Sequence, residues 1–342
     1  MEINVTDPVA VNIYQENFFS KWISSFLNDK RDIVFIYLSL KIIFIVVPFA
    51  IILFIYSNLN WLFYVAYLLV LLLVFLGPYM LMLHNVSHRK LFRKQHNYLN
   101  KIIPCVIGLF FGQTPETYFY HHVTMHHPEN NEPDDLSSTM KYQRDSVRGF
   151  LYYLGSFYIT GVAELVLYFT HKKRNNYAVR VVLGEIIFFM LSIALCFYNL
   201  KASLTVFILP LLFIRFAMMA GNWAQHAFID ADSPANIYRN SITCINSFYN
   251  KQCFNDGYHI GHHLRPYLHW TEMPQDFKKN IHLYQLHNSI IFSGLDYFQI
   301  WLLLMTKNYK KLTAHFVKIN DWNDDAEIIQ FLKTRTKKIL TQ

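Results

Sequence analysis

A chain of 342 residues that is 53% hydrophobic, 17% aromatic and only 16% charged is too apolar to have water as its main solvent. The net charge of +8 could suggest a nucleic-acid ligand, but the basic residues sit in short clusters between apolar runs, where they read as orientation signals. We therefore expect a membrane protein with no nucleic-acid partner. Cys105, Cys196, Cys244 and Cys253 are scattered without a C-x-x-C pair, so they are expected to be reduced and are assigned no role. Residues 1–32 are polar and mixed in charge and lack the basic start and apolar stretch of a cleavable signal peptide, so insertion is expected to rely on the spans.

In chain order, apolar runs appear at 33–56, 61–83, 150–170, 179–198 and 204–223. Each has the length of about 20 residues that a helix needs to cross roughly 30 Å of hydrocarbon. The links Ser57 to Asn60 and Asn199 to Ser203 are so short that each must join an antiparallel hairpin. The middle run is ambiguous, because it holds Gly155, Gly161 and Glu164 and is followed at once by His171-Lys172-Lys173-Arg174. If it lies in the interface or re-enters, every histidine cluster falls on one face together with Arg89, Lys90, Arg93, Lys94, Lys141, Arg144, Arg148 and Lys172 to Arg174. The hairpin tips carry only Lys201, so the positive-inside rule makes the histidine face cytosolic, with both termini on that side.

The expected fold is an all-α integral membrane protein with four transmembrane helices in two hairpins, an interfacial or re-entrant helix and a cytosolic histidine-rich helical cap. We expect a single domain over 1–342, comprising a cytosolic segment 1–32, spans and histidine clusters over 33–274 and a cytosolic segment 275–342. Gly77-Pro78 should kink the second span and aim the cluster after it inward, because proline removes a helical donor.

Ten of the sixteen histidines fall in four places. His84 and His88 follow the second span, His121, His122, His126 and His127 form H-H-x-x-x-H-H, His226 ends Asn222-Trp223-Ala224-Gln225-His226, and His259, His262 and His263 form H-x-x-H-H. Residues three or four apart share a helix face at about 5 to 6 Å, which suits imidazoles meeting one metal or adjacent metals. Helices of this kind converging on one volume supply more nitrogens than a tetrahedral zinc uses and about enough for two ions. No H-E-x-x-H helix and no cysteine ligand candidate is present. Imidazole suits iron, copper, nickel and zinc alike; iron is favoured because an imidazole-rich pair of irons can activate O2 beside a bilayer, and the residues alone leave zinc open.

The order, spacing and membrane context of these clusters resemble the membrane fatty-acid desaturase and hydroxylase superfamily over roughly Trp61 to Pro274, including Asn255-Asp256-Gly257-Tyr258-His259 and Glu272-Met273-Pro274. The resemblance implies a four-span mushroom-like fold, a di-iron centre and an external electron donor that is cytochrome b5-like or ferredoxin-like. Carried over by position, it implies His84, His88, His122, His126, His127, His226, His259, His262 and His263 as ligands, with Asn222 reaching a metal through water. His122 is preferred to His121 because it stands four before His126 and five before His127, although the longer second box departs from the family spacing. No H-P-G-G haem signature occurs, so electrons are expected from another protein.

By that resemblance the expected activity is O2-dependent desaturation of a fatty acyl or related lipid chain, with lipid hydroxylation on the same scaffold as the alternative. A different class, a zinc-dependent lipid hydrolase or a metal-handling membrane protein, would want fewer ligands or polar groups at mid-membrane depth. The setting would be the endoplasmic reticulum in a eukaryote and the inner membrane in a bacterium. The acids Asp134, Asp135, Asp230, Asp232 and Asp256 lie near the clusters and could orient ligand imidazoles or serve as caps. Arg215, inside the fourth span, could bind a polar group, snorkel or pair with Glu164 or Glu185, while Lys41 is expected to snorkel. Tyr37, Tyr64, Tyr67, Phe75 and Tyr79 could line an acyl tunnel or simply pack. His96, His171, His269, His282, His287 and His315 are expected to be ordinary structural or surface histidines.

Overall fold

The computed structural model describes residues 3–9, 17–56 and 58–339. In chain order the helices that matter here are α1 (Lys30–Ile55), α2 (Trp61–His88), the run 117–129 (α3), α4 (Val147–Ile159), α5 (Gly161–His171), α6 (Asn175–Tyr198), α7 (Leu200–Gln225), α8 (His259–Leu264) and α9 (Asp325–Arg335). Two short strands, β1 (Ile242–Ile245) and β2 (Ile290–Ser293), pair in parallel with Cys244 opposite Phe292. Among the described residues α1, α2, α6 and α7 are the four helices long and apolar enough to cross a membrane, and the protein is an all-helical membrane protein apart from this small sheet.

The ambiguous run resolves into α4 and α5, of 13 and 11 residues, bent by 68° across Thr160. Neither half has the length to cross hydrocarbon alone. The first histidine box lies within the last turns of α2 rather than after it. The irregularity expected at Gly77-Pro78 sits one turn earlier, where Val70–Phe75 widen into a π-helical stretch. Pro78 brings no N–H and crowds the carbonyl four residues before it, and widening the preceding turn relieves both problems.

The chain forms two compact units, one built from Ala10–Val123 and Val162–Arg215 and the other from Met1–Val9, Thr124–Gly161 and Phe216–Gln342. In the first, Ile42, Val46, Ala50 and Leu53 make the buried stripe of α1 at helical spacing, while Phe44, Leu73 and Phe197 stand exposed as lipid-facing side chains. A segment that hydropathy does not reveal, 102–116, packs against the spans of this unit. A Cβ on Gly112, which has φ +73°, would lie 2.1 Å from the backbone nitrogen of Leu211, and one on Gly184 would lie 2.0 Å from the carbonyl oxygen of Pro115. Only glycine permits either approach.

Glu185 of α6 binds the end of that segment. It accepts hydrogen bonds from Thr114 Oγ1 at 2.6 Å and Thr117 Oγ1 at 3.2 Å, and pairs with Arg215 of α7 at 3.2 Å. Of the roles open to Arg215 the structure selects the ion pair, and Glu185 rather than Glu164 is its partner. A charge pair in a span persists when each member has its partner, and here two threonines satisfy the carboxylate further.

The second unit has its core around β1 and β2, where Phe228, Ile242, Cys244, Ile290, Phe292 and Ile300 are all buried. A neighbouring cluster of Tyr258, Ile260, Met273, Phe277, Tyr284 and Ile291 carries α8. Gly257 turns the chain into that helix, and a Cβ there would lie 2.2 Å from the carbonyl oxygen of Cys244.

Candidate metal centre

Within the first unit, His84 and His88 share one face of α2 at i, i+4 spacing, with ring centroids 5.3 Å apart. His122 faces them: its Nε2 is 3.1 Å from His88 Nε2 and its ring centroid 4.6 Å from that of His84. Tyr118, one turn before, stacks on the His122 ring at 5.2 Å. These three histidines present ligand nitrogens within 4.8 Å of one another, and His121 is not among them.

The long second box has a structural counterpart, because His122–His126 form a π-helical turn inside α3. Such a turn absorbs one additional residue and re-aims the side chains on either side of it.

Within the second unit, His126, His226, His259 and His263 form a buried four-imidazole cluster, again with nitrogens within 4.8 Å of one another. Nε2 of His259 lies 3.1 Å from Nε2 of His226 and 3.0 Å from Nε2 of His263. His127 and His262 form a further pair, with Nε2 atoms 2.9 Å apart.

The outer nitrogens determine which atoms face inward. His126 Nδ1 donates to Asp135 Oδ2 at 2.6 Å, and His226 Nδ1 donates to the carbonyl oxygen of Asn240 at 2.9 Å. Both bonds hold the rings with Nε2 toward the cluster, the atom a metal ligand offers. Asp135 is itself fixed by the backbone N–H groups of Asn131 and Ser137, both at 2.8 Å, and by Ser137 Oγ at 2.7 Å. Burial alone would raise the Asp135 carboxyl, but His126 and the Ser137 hydrogen bonds outweigh it and hold the group well below the usual carboxylate range.

Burial, and then the proximity of His126, takes the His226 imidazole down to about 3. Burial followed by the histidines around it likewise places His263 well below its ordinary value. Both rings are neutral at physiological pH, as ligation requires.

The donor set fits a metal. Two imidazole nitrogens at right angles on one ion, each with a bond of about 2.0–2.1 Å, stand about 3 Å apart. The cluster shows that spacing between nitrogens of which at least one, His226 Nε2, is a lone pair without a proton.

Asn222, expected to act through water, donates Nδ2 to the carbonyl oxygen of Ser137 at 2.9 Å and to Tyr153 Oη at 2.7 Å. Of the nearby acids, Asp135 is bonded to a cluster imidazole. Asp256 accepts from Tyr249 Oη, and Asp230 pairs with Arg239 and Arg335. His269 caps Trp270–Glu272 by accepting from Thr271, and His315 Nδ1 donates to the carbonyl oxygen of Ser293, so both have structural roles.

Sequence reasoning did not find Asn240, whose carbonyl carries no sequence signal, or Arg144. The Arg144 guanidinium is fully buried and donates to the carbonyls of Ala227, Thr139, Met140, Tyr142, Arg335 and Lys337. Thr139 Oγ1 adds a 2.7 Å bond to the carbonyl oxygen of His226.

Comparison with known families matches the chain to Fatty acid desaturase over residues 59–294. That stretch is more than half of the chain and contains all ten histidines of the four clusters. The protein belongs to the fatty acid desaturase family. No curated protein and no solved structure matches it significantly. As a desaturase-family member it is an oxidoreductase of lipid metabolism set in a membrane, and its histidine clusters are suited to metal.

Proposed function

We propose that this desaturase-family protein introduces a double bond into a fatty acyl or related lipid chain, using O2 and a pair of irons held by the nine histidines His84, His88, His122, His126, His127, His226, His259, His262 and His263. The observation that carries the reading is the buried cluster of His126, His226, His259 and His263, whose Nε2 atoms converge while Asp135 and Asn240 hold two outer nitrogens. Four imidazoles are already a full set for one ion, and the sequence holds more box histidines than one ion uses. Bound iron would supply the power to oxidise an unactivated C–H bond with O2 and two external electrons.

The chain's own residues do the rest. Asp135 and Asn240 hold His126 and His226 with Nε2 toward the cluster, and burial keeps the His226 ring neutral. Asn222 Oδ1 would hold a water toward the metal, its Nδ2 being committed to Ser137 and Tyr153. No nucleophile or general base is required of the protein. Electrons come from a separate cytochrome b5-like or ferredoxin-like donor at the cytosolic face, and the family match running through both units supports reading the chain as one functional domain.

The test is metal analysis of purified protein together with lipid mass spectrometry of cells with and without it. About two irons per chain and products two mass units lighter than their precursors are expected. Products sixteen units heavier would make the protein a hydroxylase on the same scaffold, and stoichiometric zinc without iron would end the oxidative reading.

A further inference from the structure

Residues 3–9 lie within the histidine unit and are built into it. Their exposure alternates: Ile3 and Val5 turn inward onto the cluster that carries α8, Asn4 and Thr6 face outward, and Asp7 is buried. This is the period-two pattern of an extended segment laid on a core. Polar contacts fix its register. Asn246 accepts at Oδ1 from the backbone N–H of Thr6 at 2.7 Å and donates Nδ2 to the carbonyl oxygen of Asn4 at 2.9 Å, while Asn255 Nδ2 donates to the carbonyl oxygen of Pro8 at 2.8 Å. Asn246 and Asn255 both have left-handed backbones, with φ of 56° and 55°, a conformation asparagine adopts more readily than bulkier residues.

Beside this packing, Asp7 makes a polar contact with the residue that opens the third histidine box. Asp7 Oδ2 accepts from Tyr258 Oη at 2.6 Å and from the backbone N–H of Asn246 at 2.8 Å, while Asp7 Oδ1 is buried without a hydrogen-bond partner among the described residues. Tyr258 immediately precedes His259 and is the residue from which α8 starts, so its ring orientation sets how His259 enters the cluster. Resting on the reading of His259 as a metal ligand, we propose that Asp7 is a positioning residue for His259, acting through Tyr258. Both donors converge on one oxygen, so the acceptor matters and the second oxygen does not. An asparagine at this position keeps that acceptor and an alanine removes it.

The experiment uses the purified full-length chain as wild type, Asp7→Ala, Asp7→Asn, Tyr258→Phe and the Asp7→Ala/Tyr258→Phe double variant. Two rates are read: amide hydrogen exchange over His259–Leu264, which can be measured with or without bound metal, and metal release to a chelator. Loss of a buried hydrogen bond to a charged group predicts about tenfold faster exchange in α8 for Asp7→Ala and for Tyr258→Phe. The double variant should be no faster than either, Asp7→Asn should fall between wild type and Asp7→Ala, and α2 and α6 should be unaffected. Metal release should follow the same order.

Unchanged exchange in α8 for Asp7→Ala, additive effects in the double variant, or an Asp7→Asn chain as fast as Asp7→Ala would each overturn the proposal. Should Asp7→Ala not fold, Tyr258→Phe decides alone, and wild-type exchange there overturns it. A wild-type protein that holds no metal would defeat the functional reading but leave the exchange comparison intact.

Discussion

Asp135 and His126 are joined by a 2.6 Å hydrogen bond from Nδ1 to a carboxylate that four further geometric constraints of its own loop leave no freedom to move away: the N–H groups of Asn131 and Ser137, Ser137 Oγ and burial. A carboxylate behind a ligand imidazole fixes its tautomer and raises its basicity.

Asp135→Ala should therefore lower metal affinity by about 10- to 100-fold, with Asp135→Asn intermediate because an amide oxygen still accepts from Nδ1. Competition against a chelator of known affinity measures this. Wild-type affinity in the alanine variant would remove Asp135 from the site. Asp256→Ala, whose carboxylate is occupied by Tyr249, should bind metal as the wild type does.

His121 and His122 are sequence neighbours with different surroundings. Because His122 Nε2 faces His88 and the ring packs on His84, His122→Ala should lose iron, whereas His121→Ala should keep most of it. Iron content of the two purified variants decides between them, and the reverse result would mean that the second box has been placed in the wrong register.

The four spans and the presence of histidine clusters were legible because long apolar runs and repeated histidine spacings are each hard to produce for another reason. The fate of 102–116 was not. Its apolar stretch is shorter than a span, and its path is set by Gly112 against Leu211 and Gly184 against Pro115, pairs far apart in sequence. β1 and β2 were hidden for a similar reason, since four residues, mostly apolar and without alternation, read equally well as strand or helix. Asp135 was one of several acids beside the boxes, and only the fold distinguishes it from Asp230 and Asp256.

Arg144 ties the turn after His226 to the segment following α9 through Ala227, Arg335 and Lys337. Arg144→Met should destabilise the protein by about 3–5 kcal/mol, because several buried carbonyls lose their donor at once. A thermal melt followed by metal content should show earlier unfolding and weaker retention, and a melt unchanged within error would show that the carbonyls find other donors.

The glycines give the sharpest test of the fold. At Gly184 a Cβ would meet the Pro115 carbonyl oxygen at 2.0 Å, and at Gly155 it would meet nothing within 4 Å. Both sit in helices, so the intrinsic gain of about 1 kcal/mol from glycine to alanine is common to the two substitutions, and only the contact differs. Gly155→Ala should be neutral or slightly stabilising. Gly184→Ala must push a backbone carbonyl aside, and overpacking of that kind costs about 1–3 kcal/mol even after relaxation. Its effect should also travel: Thr114 and Thr117 flank Pro115 and bind Glu185 from the same segment, so displacing Pro115 weakens the hold on the Arg215 partner. Thermal stability in detergent therefore should fall for Gly184→Ala and not for Gly155→Ala, and adding Glu185→Gln to Gly184→Ala should cost less than Glu185→Gln alone. Equal melting temperatures for the two alanine variants would mean that 102–116 does not pack against α6.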